Sequence, residues 1–441
     1  MEKLIVQNYF YPAFVNPPPT LSFADQFAFR PGGSTTAALI ALLQTITNML
    51  RTNPYVIVIA LDFSKAFDTV RHSTFAEKLA SLDMPDSVYN WVISHLTGHS
   101  HKTLLAGEDS NFEYITASFI QGSGLGPASY SVGASDLHPV TEGNEIIKFA
   151  DDTDLVIPAR NIASREVEIQ HVQSWAANNN LNLNCKKSYE IIFRKPRSRG
   201  AQDVPELPGV TRVSTLKILG VTLTSNFSMA DHVSDVIASS GQSLYGVYAL
   251  RILRANGMIE KNQHTIFRAS VIAKLTYASQ AWWGFANADV RGRLQAFIRR
   301  SIKAGFCPGD FTSFDDLCER ADDKFFKCVS VDTHPLHRFF PPRISRRKRR
   351  ERPGGRHASP TEIKMHSIIV AISVNFATYP ASSILRPAAK SPFAQSVNVA
   401  RLCINLPGLE NFPSPPLPTD HLNRQNSSQG PWLTLDSHNI S

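Results

Sequence analysis

Two adjacent carboxylates, Asp151-Asp152, stand between two short β-prone apolar runs, Ile146-Ile147-Lys148 and Thr153-Asp154-Leu155-Val156-Ile157. The pattern is a hairpin with acids at its tip. Neighbouring side chains on a strand point to opposite faces, so both acids reach one site only where the chain turns. That geometry suits a divalent cation better than packing, because hard cations take oxygen ligands and two Mg²⁺ ions about 3.5–4 Å apart can serve an attacking and a leaving oxygen. Asp also tolerates turn conformations for purely local reasons, so the pair requires a third carboxylate to carry meaning.

Asp62 supplies it. It closes Tyr55-Val56-Ile57-Val58-Ile59-Ala60-Leu61, a β-branched apolar run that reads as a buried strand. A carboxylate where such a strand leaves the core costs desolvation unless a cation or hydrogen bonds compensate. The following residues, Phe63 to Val70, fit a turn into a helix whose free amides could hold a triphosphate, with Asp68 as an acid at the helix start. Ile120-Gln121-Gly122-Ser123-Gly124-Leu125-Gly126-Pro127 allows close approach of backbone to a ligand, and Ala128 to Leu137 behind it reads as a helix.

In this order the segments resemble the palm of reverse transcriptases, most closely those of non-LTR (LINE-type) retrotransposons. Asp25-Gln26-Phe27-Ala28-Phe29-Arg30 leading to Ser34-Thr35 is similar to the family's Q-x-G-F-R-x-x-x-S-T, with Ala28 in place of glycine. Asp62-Phe63-Ser64-Lys65-Ala66-Phe67-Asp68 resembles D-x-x-K-A-F-D. Gln121-Gly122-Ser123 resembles P-Q-G-S with Ile120 where the family has proline, and Phe149-Ala150-Asp151-Asp152 takes the F/Y-A-D-D position. Leu183-Asn184-Cys185-Lys186-Lys187-Ser188 fits L-N-x-x-K-[ST], and Leu219-Gly220-Val221 fits L-G-[VI].

The resemblance implies an α+β right-hand polymerase core and RNA-directed DNA synthesis by two-metal nucleotidyl transfer. Asp62, Asp151 and Asp152, with the Phe63 carbonyl, would hold two Mg²⁺ ions, or Mn²⁺ in their place. Lys65 and Ala66 would face the triphosphate, and Phe67 would be the flat ring that refuses a 2′-hydroxyl. Gln121 and Gly122 would line the nucleotide pocket, and Lys187 would protonate departing pyrophosphate. Leu219, Gly220 and Val221 would be the primer grip. RNA template, DNA primer and dNTPs are the implied partners, while protein partners are unknown. The family places a further finger motif and an endonuclease upstream, so the expectation is an N-terminally truncated copy. Its alternative is a catalytically inactive relic that at most binds nucleic acid.

Expected domains are residual fingers over 1–50, the palm over 51–225, a helical thumb over 226–306, a post-thumb segment over 307–357 and a disordered tail over 358–441. The tail expectation rests on proline and Ser/Asn/Gln enrichment without periodicity. In the palm, Val167, Ile169, Val172 and Trp175 read as one helix stripe, and in the thumb Leu244, Val247, Leu250 and Leu253 do. Trp282-Trp283 is either core or a base-stacking pair. Eight Lys/Arg against one acid between Arg343 and Arg356 make that stretch +7 of a total of +8. This basic run, centred on Arg346, Arg347, Lys348, Arg349 and Arg350, suits a phosphate backbone or a nuclear-import receptor, or is a solvated linker. Five cysteines without C-x-x-C spacing argue against a disulfide framework. With no membrane-length apolar run and no signal peptide, the expectation is an intracellular protein, nuclear or cytoplasmic and not secreted.

Overall fold

A computed structural model describes residues 1–120, 122–194 and 204–340. Gln121, the basic run and the expected tail lie outside the described residues. The central sheet has five strands: β1 (Tyr55–Leu61), β2 (Glu145–Phe149), β3 (Asp152–Pro158), β4 (Tyr189–Arg194) and β5 (Thr211–Val213). Their order is β5-β4-β1-β3-β2. All pairings are antiparallel except β4 with β5.

The central place of β1 explains its unbroken apolar sequence. Val56 and Val58 enter one hydrophobic cluster, while Ile57, Ile59 and Leu61 enter another on the opposite face. A strand covered on both sides cannot alternate apolar with polar. The first face is covered by α1 (Thr35–Thr52), started by Ser34, whose hydroxyl accepts from the Ala37 amide at 3.1 Å. The second face is covered by α2 (His72–Ala80), α3 (Asp86–Leu96), α4 (Gly126–Gly133) and α5 (Arg165–Asn178). Fully buried side chains such as Leu43 and Val92 each contribute about 1.5–3 kcal/mol of transfer free energy.

Beyond the sheet, β6 (Thr215–Ile218) and β7 (Val221–Thr224) form a tight hairpin. The helices α6 (Ala230–Ala255), α7 (Ala288–Lys303) and α8 (Phe314–Val329) follow. Their apolar faces join the cluster under α1 through Val233, Leu294, Phe297 and Phe314. The Trp282-Trp283 alternatives resolve to core: both indoles are buried in this cluster, Trp282 donating to the Tyr277 carbonyl at 2.9 Å. No helix among the described residues is long and apolar enough to cross a membrane.

Two sequence expectations need correction. The stripe on α5 keeps Ile169, Val172 and Trp175, but Val167 is 53% exposed. At about 100° per residue, positions two apart fall on opposite sides of a helix. The helix expected over Ala128 to Leu137 is α4 and ends at Gly133. The side chains of Leu244, Val247, Leu250 and Leu253 lie outside what is described.

By packing, Met1–His99 and the described residues from Tyr114 onward form one compact unit, and Ser100–Glu113 belongs to a second. In the second, Leu104–Leu105 pairs with Glu108–Asp109 across Ala106-Gly107, both at positive φ (53° and 91°), as a two-residue hairpin turn requires.

Candidate active site

The site forms where the central strands end together. Leu61 pairs with Thr153 across β1 and β3, so the next step of the register sets Asp62 opposite Asp152. On the other side of β3, Phe149 pairs with Asp152, which leaves Ala150-Asp151 as the hairpin turn. Ala150 takes φ 58°, a left-handed conformation that swings the chain over and brings Asp151 to the same end. Partial desolvation, then the neighbouring Asp62, pushes the Asp151 carboxyl above its ordinary range. Asp152 is pushed up by desolvation, then by Asp151 and Asp62.

No Lys, Arg or His among the described residues forms an ion pair with any of the three. They are not drawn into a closed ligand shell either, since no group of three His, Cys, Asp or Glu among the described residues is gathered that tightly. Three oxygen-donor groups without an ion-pair partner among the described residues, two of them (Asp151 and Asp152) with raised proton affinity, suit a divalent cation.

Asp62 is held by its backbone. Its amide donates to the buried Ser188 hydroxyl at 3.3 Å, and its carbonyl accepts from the Asn184 amide at 2.8 Å. The Ser188 hydroxyl in turn donates to the Asn184 carbonyl at 3.0 Å. Phe63–Ser64 pairs with Asn182–Leu183 just beyond. The one-turn 3-10 segment Cys185–Lys187 is thereby tied beside Asp62, with Lys187 exposed.

Lys65, exposed and at φ 51°, starts the short helix Ala66–Thr69. Ala66 is buried and Phe67 half-buried. The Phe67 ring stacks on Tyr130 of α4 at 4.4 Å and meets Phe29 edge-on at 6.0 Å. Tyr130 links this ring platform to the acids: burial, then the charges of Asp151 and Asp152, raise its phenol well above the ordinary tyrosine range. Gly122, at φ 89°, has nothing within 4 Å of where a Cβ would stand. Leu219 and Gly220 form the turn between β6 and β7 at φ 45° and 84°, while Val221 is buried. The Tyr277 hydroxyl donates to the Leu219 carbonyl at 3.1 Å and bonds the Thr35 hydroxyl at 2.9 Å.

Gln26, Tyr130, Asn184, Ser188 and Tyr277 carry no role in the sequence reading. Gln26, Asn184 and Ser188 stood in motifs that could have flagged them. Nothing local marks Tyr130 or Tyr277.

Such a sheet, with acids at the end of its central strands and a helical region following, defines a right-hand polymerase palm. Residues 4–223 match the reverse transcriptase (RNA-dependent DNA polymerase) family, and the chain belongs to it, in the type carried by non-LTR retrotransposons. The RNA-directed DNA polymerase from mobile element jockey of Drosophila melanogaster is 30% identical over 229 residues, covering 48% of this chain and 24% of that protein. The probable RNA-directed DNA polymerase from transposon BS of the same species is 26% identical over 63% of this chain and 32% of its own length. This chain thus spans about a quarter to a third of these relatives. Among solved structures, apo telomerase from Candida tropicalis aligns over 76% of this chain and 55% of its own at 9% identity and a TM-score of 0.39, too slight a likeness to carry an argument.

Proposed function

We propose that this chain performs RNA-directed DNA synthesis, adding dNTPs to a DNA primer on an RNA template. The observation that carries this is the register of β1 on β3, where Leu61, just before Asp62, pairs with Thr153, just after Asp152, while Phe149 pairs with Asp152 across the turn that holds Asp151. Asp62, Asp151 and Asp152, with the Phe63 carbonyl, would hold two Mg²⁺ ions, for which Mn²⁺ could substitute. When bound, such ions lower the cost of an attacking alkoxide and of charge on the departing pyrophosphate.

The protein contributes position and shape. Phe67, braced on Tyr130, forms the floor under the incoming sugar and leaves no room for a 2′-hydroxyl. The turn at Lys65-Ala66 faces the triphosphate, Gln121 and Gly122 border the base, and Lys187 delivers a proton to pyrophosphate. The Leu219-Gly220-Val221 turn supports the primer end. Residues 1–50 act as fingers, 51–225 as palm, 226–306 as thumb and 307–357 as a post-thumb segment. The Arg346 to Arg350 run contacts phosphate backbone or an import receptor, and the protein works inside the cell, in nucleus or cytoplasm.

Purified chain given RNA template, annealed DNA primer, dNTPs and Mg²⁺ is expected to extend the primer, and an Asp151→Asn chain is not. Equal extension by both, or none by either, rejects the enzyme and leaves the inactive nucleic-acid-binding relic.

A further inference from the structure

The Asp151 turn is clasped by a side chain 124 residues upstream. The Gln26 carbonyl oxygen accepts from the Ala150 amide at 3.0 Å and from the Ala28 amide at 3.0 Å. Its amide nitrogen lies 3.5 Å from the Ala150 carbonyl, so both faces of the residue preceding Asp151 are addressed. Gln26 is 1% exposed, and a buried amide is costly unless it is satisfied in this way. Its backbone is fixed to the same hairpin: the Phe27 amide donates to the Lys148 carbonyl and the Lys148 amide to the Asp25 carbonyl, both at 2.8 Å. Gln26 and Lys148 pair as one rung of a parallel bridge at the outer edge of β2. Ala150 therefore adopts its left-handed φ of 58° without the glycine that such a position favours, because its amide has a preset acceptor.

We propose that Gln26 is a positioning residue for the cation-binding acids: it fixes the Ala150 peptide and thereby the direction in which Asp151 leaves the turn toward Asp62 and Asp152. This rests on the polymerase reading of those acids. A side chain of equal length lacking the acceptor would fill the space and free the turn. One retaining the acceptor would keep it.

The full chain is compared with Gln26→Met, Gln26→Glu and Leu43→Ala, the last a core change that lowers stability while leaving the Gln26 hydrogen bonds in place. Two readouts are taken, amide hydrogen exchange over residues 149–153 and Mn²⁺ affinity by electron paramagnetic resonance. Gln26→Met is expected to speed exchange at the turn, relative to Leu43→Ala, and to weaken Mn²⁺ binding, each by about tenfold, as loss of a group supporting a metal ligand does. Gln26→Glu, read at a pH where the buried acid is protonated and so keeps both acceptor and donor, is expected to stay within about threefold of the parent in turn exchange. Should Gln26→Met not fold, Gln26→Asn, polar but too short to reach Ala150, is expected to give the same exchange increase. Turn exchange no faster than in Leu43→Ala overturns the proposal, as does a Gln26→Glu chain that behaves like Gln26→Met. Faster exchange in a chain whose parent takes up no Mn²⁺ upholds the clasp and rejects the cation reading of the acids instead.

Discussion

Replacing Lys148 by Met should unfold this protein more readily than any exposed charge change, because Lys148 is a cation in the core. It is 1% exposed, on β2, two residues before Ala150. Its ammonium donates to the Ala134 and Leu137 carbonyls at 2.7 and 3.1 Å and pairs with Asp25 at 3.1 Å. Met keeps the length and packing but removes every donor. Among the described residues Asp25 then retains only His138, at 3.5 Å, and its other oxygen is already buried without a partner. Breaking one side of a buried pair costs about 3–5 kcal/mol. Two carbonyls losing donors add to that, without simple additivity.

The pH dependence has a definite sign. Burial pushes the Asp25 carboxyl up, but Lys148 and then His138 more than reverse this, so its folded value is lowered. A lowered carboxylate contributes stability that is present above its unfolded pKa and lost as pH falls through the folded value. In Lys148→Met that contribution should vanish, leaving burial to favour the protonated acid, so the parent's advantage should shrink as the medium becomes acidic. Urea denaturation at several pH values reads both effects, and Asp25→Asn added to Lys148→Met should recover part of the loss. A neutral-pH cost below about 1 kcal/mol, typical of an exposed pair, would refute the reasoning.

Phe67→Ala should relax discrimination against ribonucleotides by at least about tenfold, read as the ratio of kcat/KM for dNTP and rNTP on one template; an unchanged ratio removes Phe67 from that role. Gly220→Ala combines a φ of 84° with a Cβ 3.0 Å from the Tyr277 ring, whereas Gly209→Ala shares the positive φ (81°) with open space around it. Both should lose about 1–2 kcal/mol to the left-handed backbone in urea denaturation, with Gly220→Ala losing more; equal losses would show that the Tyr277 contact costs nothing.

The parts legible in the sequence are those with a local cause. The run from Tyr55 to Leu61 reads as a buried strand because β-branched residues cluster there, and the hairpin at Asp151 reads from apolar runs broken by turn-tolerant acids. What joins them was not legible. Ser188 holds the Asp62 amide from 126 residues away, and Gln26 holds Ala150 from 124. Contacts at such separation leave no periodicity in either partner. Tyr130 supports Phe67 from a helix whose other positions are small and mixed in polarity, so its spacing carried no signal. Val167 departs from the expected stripe because it stands two positions before Ile169, about 200° around the helix, on the solvent side.

Asp62, Asp151 and Asp152 are proposed to act as one cation-binding unit in nucleotide addition. The most direct test is the rate of single-nucleotide incorporation on an RNA template for each of Asp62→Asn, Asp151→Asn and Asp152→Asn, and for all three combined. Groups that act as a unit are strongly non-additive. Each single change should therefore cost about 10³-fold or more, and the triple change little beyond the worst single one. A dispensable member, or losses that multiply independently, would contradict the account.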